Sequence, residues 1–375
     1  MNAPLAGLKC LDLSRQLPGP FCSMILADLG VDVLVISAPN DPMGLGIPLL
    51  QRNKRSMTLN LKSERGREIF LRLAREADIV LEGFRPGVTE RLGIDYRTLA
   101  QENPRLIYCS ISGYGQDGPY RDKVGHDLNY LGYAGVLGVS GPAGGPPTIM
   151  PVQVADIGGG ALMGAVGILA AIIARQQTGK GQYIDIAMMD GSVLWNVFHI
   201  LMYLVQGKQP ERGRTQLTGH YACYAVYETK DGKYVTVGAL EPHFWRNLCE
   251  KLGVPEFVAD QFAEGERREE IFRVLRERFR SKTQAEWLEE LGRIDICFGP
   301  VNDIPTALAD PQVRHRGIVW QRDGKIFLGC PIKLSETPPR PPSAPPEFGE
   351  HTEQVLRCLG FDAEAVASFR RDGVI

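Results

Sequence analysis

The short phosphate-binding signatures of nucleotide enzymes are missing from this 375-residue sequence. No GxGxxG follows the first strand-like run and no GxxxxGK[ST] occurs, so ordinary NAD binding and P-loop ATP binding have no support. The GxSxG elbow of serine hydrolases is also missing. Net charge is nearly lacking: 42 basic against 44 acidic residues leave −2, with no bulk attraction for nucleic acid. The eight cysteines form no CxxC pair, and no Cys/His spacing suits zinc. Scattered thiols fit a reducing compartment. The longest apolar run, 161–174, is short for a bilayer and broken by glycine. The first residues lack the form of a secretory signal, and the closing DGVI is not a peroxisomal address. The expectation is a soluble cytoplasmic protein with no nucleic-acid, membrane or metal partner. No internal repeat is present.

What is present is length, a 44% hydrophobic content and alternation. Strand-like runs at 8–14, 31–37, 57–62, 78–83 and 105–115 alternate with helical patterns at 21–29, 62–77 and 89–102. That order predicts α/β architecture with a parallel, Rossmann-like sheet. A Gly/Pro-rich loop (134–151) precedes a helix in which Asp156 sits where an N-cap belongs. A strand at 183–190 then runs into a long apolar helix. From Thr218 the pattern changes to a hairpin about Lys230–Gly232 and charged helices near 243–253, 265–281 and 283–293. The organisation read from this is a discontinuous large domain (1–190 and 311–375), a linker helix (191–217) and a small α+β domain (218–310). The proline-rich stretch 338–349 reads as an extended linker.

Three places carry chemistry. His126 and Asp127 follow Gly125 at a helix start, where a base and free backbone N–H groups come together. Asp156 precedes three glycines, which would let a ligand approach the backbone. Glu241 closes a strand and could fix the tautomer of a histidine. Each also has an ordinary explanation: a satisfied histidine, a helix cap and a surface carboxylate. Lys54, Arg55, Lys62, Arg85 and Arg91 flank strands where doubly wound sheets bind phosphates, or form a solvated basic face.

The segments LAGLKCLDLSRQLPGPFCSMILADLGVDV, RNKRSMTLNLKSERGRE, EGFRPGVTERLGIDY, LIYCSISGYGQDGPY, TGKGQYIDIAMMDGS and GEHTEQVL resemble the type III CoA-transferase family, also called CaiB/BaiF. The likeness covers nearly the whole chain. GHDLNY (125–130) and GALEPHFW (238–245) are similar to that family's racemase branch, which acts on α-methylacyl-CoA thioesters. ISAPN (36–40) departs from it, placing Ser37 and Ala38 where racemases usually carry charge. DICFGPVND (295–303) mixes the two branches.

The resemblance implies a large Rossmann-like domain, a small α+β domain and an interlocked homodimer. It implies an isomerase that inverts the α-carbon of a 2-methylacyl-CoA by two-base proton transfer through an enolate. His126 and Asp156 would serve opposite faces, Glu241 would orient His126, and amides near Asp127 would hold the enolate oxygen. CoA would be contacted by Leu59, Asn60, Leu61, Lys62, Gly83, Phe84, Arg85 and Arg91, and by Gly125, Asp127, Leu128, Asn129 and Tyr130. No separate cofactor is implied, since CoA travels on the substrate. The alternative within the family is CoA transfer between carboxylic acids, with Asp156 as nucleophile.

Overall fold

The computed structural model describes residues 3–41 and 43–375. The chain divides into two compact units. One takes in the chain up to Val136, Met150–Val197 and Pro311–Ile375; the other takes in Leu137–Ile149 and Phe198–Asp310.

The first unit is built on a six-stranded sheet in the order β3-β2-β1-β4-β5-β6, parallel throughout. Its strands are β1 (Lys9–Asp12), β2 (Asp32–Ser37), β3 (Lys54–Thr58), β4 (Ile79–Glu82), β5 (Ile107–Ser112) and β6 (Tyr183–Ala187). β2, β4 and β5 are almost wholly buried, as both-face burial of a parallel sheet requires. Helices α1 (Pro18–Asp28) and α2 (Glu64–Glu76) connect the strands; Pro18 pre-sets the first turn of α1, and Ser63 caps α2 through the Gly66 N–H. Strand order reverses between β1 and β4, so the carboxyl ends there open a crevice where such folds take ligands.

Where helix 89–102 was expected there are two, α3 (Val88–Leu92) and α4 (Tyr96–Glu102). Gly93 turns left-handed (φ 67°) and Asp95 caps α4, ending one helix and starting the next. Lys54 and Arg55 do not offer themselves to phosphate. The Lys54 ammonium is buried, donating to Pro20 O (2.9 Å) and Ser23 Oγ (2.7 Å) with Asp12 at 3.7 Å. Arg55 is paired with Asp32 at 2.6 Å.

Helix α5 (Asp127–Tyr133) follows β5, and short α6 (Val136–Val139) stands where the chain passes into the second unit. The chain returns as a π-helical turn (Ala155–Leu162) continuing into α7 (Met163–Thr178). Together these 24 residues are long and apolar enough to cross a membrane. Gly164, Ala165, Ile168, Ala171 and Ile172 are instead buried in the unit, and Arg175 is paired with Asp78 at 2.9 Å.

The apolar helix expected over 191–217 is two helices, α8 (Met188–Trp195) and α9 (Val197–Gln206), with a break at Asn196. The expected 190/191 and 217/218 boundaries therefore give way to one at Val197/Phe198. Residues 137–149, placed by sequence in the large domain, join the second unit. There the Arg212 guanidinium donates to Gly145 O, and Gly213 lies against the backbone of Pro142 and Ala143.

The second unit carries an antiparallel sheet of β7 (Tyr224–Glu228), β8 (Tyr234–Gly238) and β9 (Phe298–Pro300). Helices α10 (Pro242–Leu252), α11 (Gly265–Phe279) and α12 (Gln284–Leu291) pack over a core that includes Trp245, Tyr227, Phe279 and Trp287. Trp245 Nε1 donates to Phe257 O, so a large buried ring leaves no polar atom unmet. The proline-rich stretch is not a free linker. Arg340 donates its N–H to Asp28 O and its guanidinium to Gly30 O, and the Ser343 N–H reaches Asn53 Oδ1, pinning it along the first unit.

Candidate active site

β5 delivers the chain to Gly113 and Gly125, two positions that Tyr130 defines. A Cβ on Gly113 would lie 2.4 Å from the Tyr130 ring, and one on Gly125 2.8 Å from it. The Tyr130 hydroxyl donates to Gly125 O, so this ring is committed to shaping the loop before α5. His126 comes next, in extended backbone (φ −127°, ψ 176°), and its N–H donates to Asn129 Oδ1 at 3.0 Å. Asn129 thus fixes the backbone that presents an exposed imidazole. The N–H groups of Asp127 and Leu128, first in α5, meet no carbonyl among the described residues.

Asp156 is not the N-cap that its sequence context predicts. Val154 is already helical (φ −67°, ψ −37°), and Ile157 N–H bonds Gln153 O. The capping oxygen comes from upstream: Asp127 Oδ1 accepts the N–H groups of Ala155 (2.7 Å) and Asp156 (3.1 Å). The three glycines after it admit protein rather than ligand. Cβ atoms at Gly158, Gly159 and Gly160 would stand 2.5–2.8 Å from Trp195, Met188 O and the Met188 side chain. They let the turn lie directly on α8, and single π turns recur at functional sites.

No hydrogen bond or ion pair reaches the Asp156 carboxylate among the described residues. Burial pushes its pKa up to about 6, the negative charge of Asp127 adds to this, and His126 opposes it. Tyr130 is pushed to about 12, first by burial and then by Asp156. His126, Asp127, Tyr130 and Asp156 therefore form one electrostatic neighbourhood. Glu241 lies in the second unit as the residue before α10, in extended backbone, exposed and making no cap bond.

The remaining expected contacts gather at the ends of β2, β3 and β4. Leu59, Asn60, Leu61, Lys62, Phe84 and Arg91 line a cavity of about 630 Å³. Gly83, Arg85 and residues 125–130 do not line it. Leu59 is a core residue, and the Asn60 amide group is held by Gly373 O. Lys62 and Arg91 are exposed there.

Two residues escaped sequence reasoning. Arg15 lines the same cavity, paired with Asp41 at 3.1 Å, beside the uncharged Ala38. Its signal was its place just past the carboxyl end of β1. Glu82, at the end of β4, is raised to about 7 by burial and accepts the Phe84 N–H at 2.7 Å, holding the loop that carries Phe84. Among the described residues, no group of three or more His, Cys, Asp or Glu is placed to hold a metal.

Comparison with known proteins bears on this arrangement. A model of the family described as CoA-transferase family III matches residues 5–352. The α-methylacyl-CoA racemase of Homo sapiens is 35% identical over 99% of this chain and 97% of its own length. The succinyl-CoA:glutarate CoA-transferase of Homo sapiens is 32% identical over 99% of this chain and 90% of its own. A crystal structure of a CaiB/BaiF family protein from Brucella suis superposes with a TM-score of 0.84 at 32% identity, covering 96% of this chain and all of that one.

Proposed function

The chain belongs to CoA-transferase family III, and from that membership we propose that it inverts the α-carbon of a 2-methylacyl-CoA thioester. The observation that carries this is the Asp156 carboxyl, raised to about 6 and with no hydrogen-bond or ion-pair partner among the described residues, in the same electrostatic neighbourhood as an exposed imidazole. A carboxyl raised in this way can take up and release a proton near neutrality, and the imidazole beside it offers a second acid/base group. A transferase needs the carboxylate as nucleophile but no second base.

In the proposed reaction one of the two groups, in its basic form, removes the α-proton from one face. The C–H electron pair moves into the thioester and negative charge gathers on its oxygen. The other group, in its acid form, returns a proton to the opposite face. After one turnover each has exchanged its protonation state, and the reverse reaction starts from there. The amides of Asp127 and Leu128 are proposed donors to the enolate oxygen. Glu241 is assigned the orienting of His126, as the family resemblance implies. Lys62, Arg91 and Arg15 are proposed to meet the CoA phosphates in the cavity they line. No separate cofactor is proposed.

We propose a homodimer as the working form. Leu194 and Trp195 of α8, and Leu204 and Val205 of α9, are each at least half exposed, apolar surface that a second copy would cover.

CoA transfer is the second reading. It is favoured by the transferase relatives and by the same unpartnered Asp156 carboxylate, which would suit a nucleophile. One incubation separates the two: a single-epimer 2-methylacyl-CoA in D₂O with a free carboxylic acid present. The expected result is both epimers, deuterated at the α-carbon, with CoA still on the same acyl group. A new thioester on the added acid, with the stereocentre unchanged, would overturn the racemase assignment.

A further inference from the structure

Asp127 stands between the two proposed acid/base groups without being either. It follows His126 in the chain, and its Oδ1 accepts the Ala155 and Asp156 amides at 2.7 and 3.1 Å. Both amides belong to the first turn of their helix, where no earlier carbonyl is in line to receive them. Resting on the two-base reading of the site, we infer that Asp127 is a positioning residue. Its carboxylate ties the turn carrying Asp156 to the helix start carrying His126, and sets a second negative charge beside the Asp156 carboxyl.

The two effects answer different needs. Bases on opposite faces of one carbon must keep a fixed separation, and a displacement of about 1 Å can cost roughly 10²-fold in rate. The hydrogen bonds supply that constraint, because α5 and the π turn are joined through a single oxygen. The charge answers the second need. A helix N-terminus favours an ionised carboxylate, which suits a base but not a group that must also act as an acid. Asp127 opposes that bias at close range.

Other charged or titratable groups lie on the elements packed against the turn. His126 precedes α5, which carries Tyr130 and Tyr133; α1 has Cys22 and Asp28, β5 has Tyr108 and Cys109, β6 has Tyr183 and Asp185, α7 has Arg175, and α8 has Asp190. Asp28 is paired with Arg52, Arg175 with Asp78, and Asp185 accepts the Gln116 N–H. Asp127 and His126 are the two that act on Asp156, in opposite directions.

Two variants separate geometry from charge. Asp127→Asn keeps an oxygen that can accept both amides but removes the charge; Asp127→Ala removes both. Two readouts are needed: the pH profile of α-proton exchange in D₂O, and a ¹³C NMR titration of the Asp156 carboxyl, assigned by its loss in Asp156→Asn. Asp127→Asn is expected to stay within about tenfold of the wild-type rate, with the acid limb and the titration midpoint both moved down. Asp127→Ala is expected to lose a further ~10²-fold. An unmoved midpoint in Asp127→Asn, or an Asp127→Ala no slower than Asp127→Asn, would overturn the proposal. If the wild type exchanges no α-proton, the two-base reading fails, while the titration midpoint still decides whether Asp127 governs Asp156.

Discussion

Asp12 and Asp156 belong to the same unit, and their surroundings treat charge in opposite ways. Asp12, at the end of β1 and 1% exposed, accepts from the Ser14 N–H (2.9 Å), from the hydroxyls of Ser14 and Ser23, and faces the Lys54 ammonium. Burial lowers the Lys54 pKa and Asp12 pushes it back up. Each member of that network is satisfied, and the network clamps α1 to β1 and β3. Asp156, less deeply placed, has no partner for its carboxylate among the described residues, and burial raises its pKa to about 6. A buried charge surrounded by donors is architecture; a partly buried carboxylate left without them is open to a ligand. The contrast also explains why Lys54, which sequence position offers as a phosphate ligand, cannot be one.

Breaking the satisfied side should have the larger effect. Lys54→Met leaves Asp12 buried without its counter-ion, and the loss of one partner from a buried pair costs about 3–5 kcal/mol. Urea unfolding should show this as a large fall in midpoint. An unchanged midpoint would mean that the network is not the clamp described. The unsatisfied side should respond in the opposite sense and more weakly. The folded-state pKa of Asp156 is raised above its ordinary 3.8, so the folded protein prefers the protonated form. Well below pH 4 both states are protonated and the group contributes nothing to the difference. Between about pH 4 and 6 the unfolded chain ionises the group while the folded protein holds its proton, so stability falls across that window and levels off above it. Asp156→Asn should therefore gain stability relative to wild type at pH 8 compared with pH 4. The gain should be on the order of 1 kcal/mol, because solvent screens part of the shift. Thermal midpoints at the two pH values measure it.

Much of the first unit was legible because burial on both faces writes itself as β-branched runs. VDVLVIS at 31–37 is β2 (Asp32–Ser37); in the second unit, the hairpin about Lys230–Gly232 is β7–β8. His126 and Asp156 could each be singled out by local chemistry, and Lys62 and Arg91 by their place near strand ends, whereas Leu59, Asn60, Leu61 and Phe84 came from the family resemblance alone. What could not be read were relations carried over distance. The oxygen that caps the Asp156 turn comes from Asp127, 29 residues upstream, so a local rule placed the cap on Asp156 itself. The glycines after Asp156 face Met188 and Trp195, which only the folded chain brings there. Residues 137–149 join the second unit through Arg212, again a long-range contact. The break at Gly93 and Asp95 was different: its signal was present, a glycine followed two residues later by a capping aspartate, within an otherwise helical pattern.

The most direct measurement takes His126→Ala and Asp156→Ala, starts each from both epimers of one 2-methylacyl-CoA in D₂O, and follows inversion and exchange separately. With one base on each face, neither variant should invert in either direction. Each should retain at most slow exchange with retention, from opposite epimers, since a lone base can remove and return a proton only on its own side. Inversion at the wild-type rate by His126→Ala, or a hydroxylamine-trappable thioester or anhydride at Asp156 of the wild type that forms and decays at the turnover rate, would contradict the two-base assignment.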